Sequence, residues 1–259
     1  MKRLVWMLCC LMGAVGCAHK TSAPAAVVNG QELITSSDES ADHRRARIRT
    51  ELAAAYLQRG QAEVALDEAK LALAASEAYV PAHVVKALAY MALSRPDLAR
   101  LSLDRALALA PRDLDVLMND AWWSCGQGLT DAALAGFERA LTAGAGGRAW
   151  LGQAICSARA GREADPMFAR AYALAPRDEQ VVTAWAEYAS ARSDWARVHE
   201  LLSPFNAGAS ANAKSLWMQA QAYRKQGQGQ MAKALSQRLL AAFPDSPEAQ
   251  TLRQEQAHD

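Results

Sequence analysis

The chain has 259 residues, of which 51% are hydrophobic, 7% aromatic and 21% charged, with a formal charge of +1. The length admits one or two domains with a sizeable core, and the apolar fraction is mostly alanine and leucine, which favours helix and argues against a β-sandwich or a doubly wound sheet. The charge excludes a strongly basic nucleic-acid binder and an acidic disordered tail, and five cysteines are too few for a disulfide-dense miniprotein.

Met1-Lys2-Arg3 is a short positive start, and Leu4 to Val15 is an uncharged, mostly apolar run too short to span a bilayer. Gly13, Ala14 and Gly16 then lead into Cys17. Small residues directly before a cysteine resemble the bacterial lipobox, in which that cysteine is diacylated and becomes the first residue of the mature chain. Ala14 stands where leucine is commoner, and the alternative is ordinary secretion with cleavage near Gly16 and a free Cys17. A signal peptide of residues 1–16 removes Cys9 and Cys10, so lipid on Cys17 leaves Cys125 and Cys156. Two thiols in an exported, oxidising compartment are expected to pair; two buried free thiols are the alternative. Loss of Lys2 and Arg3 leaves 26 basic residues against 27 acidic ones, a mature side-chain charge of −1. Acyl chains on Cys17, not attraction to anionic lipid, would then hold the protein to a membrane.

Residues 17–42 comprise the lipidated terminus and a tether rich in Ala, Ser, Thr and Asp, with Asp42 placed to cap the helix that follows. Residues 43–259 repeat. Arg49, Leu52-Ala53 and Tyr56 lead to Gly60, Ala65, Ala69 and Ala72; Ala87, Tyr90, Ala99, Leu103, Ala106 and Pro111 follow. Ala121, Gly128, Ala133, Phe137 and Ala140 keep the same offsets, as do Ala220, Tyr223, Gly227, Ala232, Leu239 and Pro244. The offsets resemble the tetratricopeptide repeat, a helix–turn–helix unit of about 34 residues with small residues at the helix crossing and glycine in the turn. A fourth unit, from Gly152 through Gly161, Ala164 and Phe168 to Pro176, has a turn two residues short. A weak fifth spans residues 178–204 around Trp185, Trp195 and Ala196. The expected fold is an all-α superhelical solenoid of about six such repeats.

The five histidines are scattered, and no His-Glu-x-x-His, Cys-x-x-Cys, Gly-x-Ser-x-Gly or Walker A pattern occurs, so neither a zinc site nor an enzyme is expected. Gly227-Gln-Gly229-Gln-Met-Ala232 fits the loose dinucleotide fingerprint, but that motif needs a preceding strand, and Leu216 to Lys225 reads as helix. Gly144-Ala-Gly146-Gly147 reads as a loop joining repeats three and four rather than a phosphate cradle. Arg44, Arg45, Arg47 and Arg49 form the one basic cluster, read as an exposed helix face offset by Asp38, Glu39 and Asp42; contact with lipid phosphates is the alternative. No cofactor, nucleic acid or small-molecule substrate is expected. Cys125 and Cys156 fall late in the first helices of repeats three and four, which lie side by side in such a solenoid, so the two can meet.

Several segments resemble the type IV pilus biogenesis and stability outer-membrane lipoproteins, the pilotins of the pilus secretin. They are Arg49-Thr-Glu-Leu-Ala-Ala-Ala-Tyr56 through Gly60 and Val64-Ala65-Leu66; Asn119-Asp-Ala-Trp122-Trp123-Ser-Cys125; Gly152-Gln-Ala-Ile155-Cys156; and Phe243-Pro244 to Leu252. Met118-Asn119-Asp120-Ala121 departs from the family's Asn-Asn-Tyr-Gly. The resemblance implies a non-enzymatic protein on the periplasmic face of the outer membrane that binds secretin subunits and promotes their assembly. Ala18 after Cys17, in place of aspartate, agrees with outer-membrane sorting. Another reading is an adaptor for a different envelope machine, outer-membrane protein insertion or cell-wall synthesis. Carrying the repeat register over, the groove-facing candidates are Thr50, Ala54, Leu57, Val84, Leu88, Met91, Met118 and Trp122, with packing between repeats the alternative for several.

Overall fold

The computed structural model describes residues 39–258. The expected signal peptide, Cys17 and the tether as far as residue 38 lie outside the described residues. Thirteen helices and no strand make up the described residues. They pair as α1 (Ala41–Gln58) with α2 (Ala62–Ala75), α3 (Val80–Ala92) with α4 (Pro96–Leu109), and α5 (Leu114–Gly126) with α6 (Thr130–Thr142). Then come α7 (Gly147–Arg159) with α8 (Asp165–Leu174), α9 (Glu179–Ala191) with α10 (Trp195–Ala207), and α11 (Ala213–Lys225) with α12 (Gly229–Ala242). A final helix, α13 (Pro247–His258), closes the stack. Six helical pairs in a row make the solenoid expected from the spacing. Each odd-numbered helix touches the next odd-numbered one, whereas α2, α4, α6, α8, α10 and α12 do not touch one another. The odd-numbered face is therefore the tighter, concave side.

One residue between the helices of each pair turns the chain through the left-handed region: Gly60, Ser94, Gly128, Gly161, Ser193 and Gly227, with φ between 57° and 73°. Gly227 thus serves a turn after helix α11, not a dinucleotide loop. Serine at two of the six positions explains why glycine alone under-reports the repeats, the fifth above all. That unit also runs on to Ala207, past the expected end at residue 204. Asp113, Asp178 and Asp194 accept backbone N–H groups at the starts of α5, α9 and α10, and Asn212 forms a capping box with Ser215. Asp42 does not cap. Helix α1 starts at Ala41, so Asp42 lies inside the first turn and pairs with Arg45. The fourth turn is not short as expected: five residues, 160–164, separate α7 from α8 against three in the other pairs, and the missing length is taken from α8, which has 10 residues. Glu163 closes this turn, its carboxylate accepting the N–H groups of Ala164 and Asp165 at 3.1 and 3.0 Å and the Tyr188 hydroxyl at 3.1 Å. The Asp165 N–H leads in holding that carboxyl below the usual range.

The core changes character along the stack. Repeats one to three close on alanine, with Ala53, Ala65, Ala69, Ala87, Ala99, Ala121 and Ala133 fully buried. Repeats four and five close on bulk, where Phe168 and Trp185 stack at 6.2 Å and Trp185 Nε1 donates to Asp165 at 2.7 Å. Repeats five and six meet through a buried polar seam. Asn206 Nδ2 donates to Gln219 at 2.8 Å, Ser215 Oγ to Asn206 at 2.5 Å, and Gln219 to Ser203 at 2.8 Å.

Helix α7 approaches α6 so closely that a Cβ on Gly152 would lie 2.3 Å from the ring of Phe137, itself fully buried. Gly152→Ala is therefore expected to lower stability by about 1–3 kcal/mol in urea unfolding. Gly126→Ala, where a Cβ meets nothing within 4 Å, is the control and should change it by less than about 0.5 kcal/mol.

Candidate binding groove

The concave surface is built from the same register position on successive odd-numbered helices. On α1, α3, α5 and α7 that position holds Ala54, Leu88, Trp122 and Ile155, all half-buried. On α9, α11 and α13 it holds Glu187, Gln221 and Glu255. One turn further along, Leu57, Met91, Cys125 and Ala158 give way to Ser190 and Arg224. The groove is thus apolar over its first four repeats and polar over the rest. The polar half satisfies itself: Lys214 pairs with Glu187 at 2.5 Å, and Arg224 with Glu255 at 2.6 Å. The apolar half leaves partly exposed hydrocarbon, which gains only by burial against something else.

Of the eight residues read as groove-facing, Ala54, Leu57, Leu88, Met91 and Trp122 keep accessible surface. Thr50, Val84 and Met118, at 6%, 7% and 3% exposure, do not face the groove. They lie one turn earlier, where neighbouring helices converge. Thr50 donates its hydroxyl to the Ala46 carbonyl at 2.7 Å, Val84 packs with Ala106 and Val116, and Met118 joins the cluster around Phe137. Ile155 and Ala158, half-buried and 33 residues after Trp122 and Cys125, continue the same positions onto α7, beyond the last expected candidate, Trp122.

Supports converge beneath the apolar half. Trp122 meets Phe137 edge to face at 5.2 Å, and the neighbouring Trp123 turns away, donating Nε1 to the Pro96 carbonyl at 3.2 Å. Cys125 and Cys156 are joined across α5 and α7 with Cα atoms 5.7 Å apart. Asp120, on α5, is 6% exposed and accepts from Arg100 of α4 at 2.5 Å and from Arg139 of α6 at 3.0 Å. Arg100 also lies 4.8 Å over the Trp123 ring. Burial works against the charge on Arg100, but its hydrogen bonds to Asp120 and Asp104 outweigh this and raise its pKa. Within the basic cluster, Arg45, Arg47 and Arg49 pair with Asp42, Glu51 and Glu68. Among the described residues no three His, Cys, Asp or Glu side chains converge as metal ligands, and no helix is long and apolar enough to cross a membrane.

Solved structures share this arrangement. The pilF protein of Pseudomonas aeruginosa superposes with a TM-score of 0.64 at 21% identity, over 83% of this chain and 100% of that one. PilW, described as a widely conserved type IV pilus biogenesis factor, gives a TM-score of 0.68 at 25% identity, over 80% of this chain and 97% of that one. A tetratricopeptide repeat protein from Parabacteroides merdae gives 0.59 at 14% identity, over 81% and 84%. The fold is a tetratricopeptide-repeat solenoid. No family model matches the sequence, and no curated protein matches it.

Proposed function

We propose that this protein is a lipoprotein on the periplasmic face of the outer membrane, held by acyl chains on Cys17, that binds subunits of the type IV pilus secretin and promotes their multimerisation. The observation that carries this reading is the likeness to PilW along 97% of that chain. The apolar half-groove supports it, since a solenoid of this kind offers its concave face to a helix or extended segment of a partner. The anchor keeps the scaffold beside the membrane and raises its effective concentration there. No step of this role asks for bond-making chemistry, and the groove offers hydrocarbon and paired charges rather than a poised nucleophile or base.

Deletion is expected to abolish detergent-resistant secretin multimers on a gel, and Cys17→Ser to release the protein from membranes. Leu88→Glu with Met91→Glu should weaken binding to a purified secretin subunit by about thirtyfold, with helical content unchanged. Normal multimers after deletion would overturn the reading and favour an adaptor for outer-membrane protein insertion or cell-wall synthesis.

A further inference from the structure

On the even-numbered side of the solenoid, one cleft lacks a carboxylate that the next repeat has. Helices α2 and α4 do not touch, and the cleft between them, of about 380 Å³, is floored by α3. Leu73, Tyr90, Leu98 and Leu101 give it an apolar lining, and Lys86 and Arg105 supply two cations. One repeat later, 34 residues on, Asp120 stands in the place of Lys86 and Arg139 in the place of Arg105. There the Asp120 carboxylate accepts from Arg139 at 3.0 Å. Here a second cation replaces the anion. Lys86 Nζ lies 6.0 Å from the centre of the Tyr90 ring and meets no carboxylate among the described residues. Arg105 reaches only Glu77, at 3.4 Å, and that side chain is 84% exposed, so the pair is readily exchanged. His83, buried beside them, donates Nε2–H to the Glu77 carbonyl at 2.8 Å. Burial leads in lowering the His83 pKa, the Glu77 carbonyl opposes it, and the charges of Lys86 and Arg105 lower it further. Both cations thus bear on the same buried ring.

We propose that this cleft binds an acidic peptide segment of a partner protein, a glutamate or aspartate flanked by apolar residues. Its carboxylate lies between Lys86 and Arg105, where the next repeat places Asp120. The apolar lining tells against a bare inorganic anion, because the flanking side chains of a peptide gain by covering Leu98 and Leu101. Leu101 is 65% exposed, so the cleft is an open trough across which a chain can lie, not a chamber that encloses a small molecule. Covering the trough also removes water from the two cations and strengthens their hydrogen bonds to the carboxylate. The site lies on the side away from the concave groove and is a second contact, additional to the one proposed there.

The test is fluorescence anisotropy of the Cys17→Ser chain, which forms no acyl anchor, with end-blocked pentapeptides. Each carries glutamate at its centre among leucine, phenylalanine or alanine, and each is measured beside its glutamine twin. The tightest glutamate peptides should bind about tenfold more tightly than their twins and weaken as salt is added. Lys86→Ala and Arg105→Ala should each weaken binding about fivefold. Lys86→Asp, which sets a carboxylate beside Arg105 as Asp120 stands beside Arg139, should abolish binding with the unfolding midpoint retained. Arg59→Ala, in the turn after α1, removes the same charge and should change nothing. No peptide bound, twins that bind as well as the glutamate peptides, or binding that survives Lys86→Asp overturns the proposal. Octanoate bound in the absence of any peptide binding also overturns it, in favour of a small carboxylate. None of these outcomes depends on secretin binding, so this inference and the functional reading can fail separately.

Discussion

Asp120→Ala is expected to lower the unfolding free energy by about 3 kcal/mol, the low end of the 3–5 kcal/mol range for removing one partner of a buried ion pair. The carboxylate places one oxygen on Arg100 and the other on Arg139, so a single side chain of α5 ties down α4 of the preceding repeat and its own partner α6. Its loss leaves Arg100, mostly buried, with Asp104 at 2.7 Å as its remaining carboxylate partner. Arg139 is half exposed and can rehydrate, which is why the low end applies. Asp120→Asn keeps an acceptor and the shape but not the charge, and should fall between the two. Asp131→Ala, which breaks an exposed pair with Arg162, is the comparison and should leave the unfolding midpoint nearly unchanged. Urea unfolding followed by circular dichroism distinguishes these; equal losses from Asp120→Ala and Asp131→Ala would show that the two arginines do not depend on Asp120.

Replacing Cys125 and Cys156 together by serine is the second large effect. With a sequence separation of 31 residues, loss of the cross-link should remove about 3.5–4 kcal/mol on the loop-entropy account. Reducing the unsubstituted protein should bring it to the same midpoint, and the double variant should ignore reductant. Identical midpoints with and without reductant would mean the bond contributes nothing to stability. The consequence extends to the groove, because Trp122 and Ile155 stand on the two helices that this bond joins. A looser α5–α7 seam should therefore weaken partner binding even where the fold survives.

Much of the architecture was legible in the residues because a repeat states its rule several times. Small residues at the crossings and a left-handed turn recur at near-constant spacing, so departures at one unit are outvoted by the others. The fifth unit was faint for a physical reason: Ser193 replaces glycine in the turn, and Val198 stands where Ala65, Ala99 and Ala133 do. The groove was only partly legible. Register says which residues lie toward the concave side, but not how far neighbouring helices converge there, and that convergence buries Thr50, Val84 and Met118. Asp120 was visible only as a departure from a family pattern. Its partners lie 20 and 19 residues away on separate helices, so no local motif could have announced the bridge. The thirteenth helix had no counterpart in a count of six pairs.

The change from Ile155 to Glu187 along the concave face also sets a length. Four helices packed side by side at about 9–10 Å span about 27–30 Å from Ala54 to Ile155. A helical occupant must then carry its apolar stripe for about 18–20 residues, and an extended one for about 8–9. A shorter stripe leaves hydrocarbon wet at one end, and a longer one drives apolar side chains onto the paired charges of Glu187 and Lys214. The solenoid acts as a ruler, with its end mark at the ninth helix.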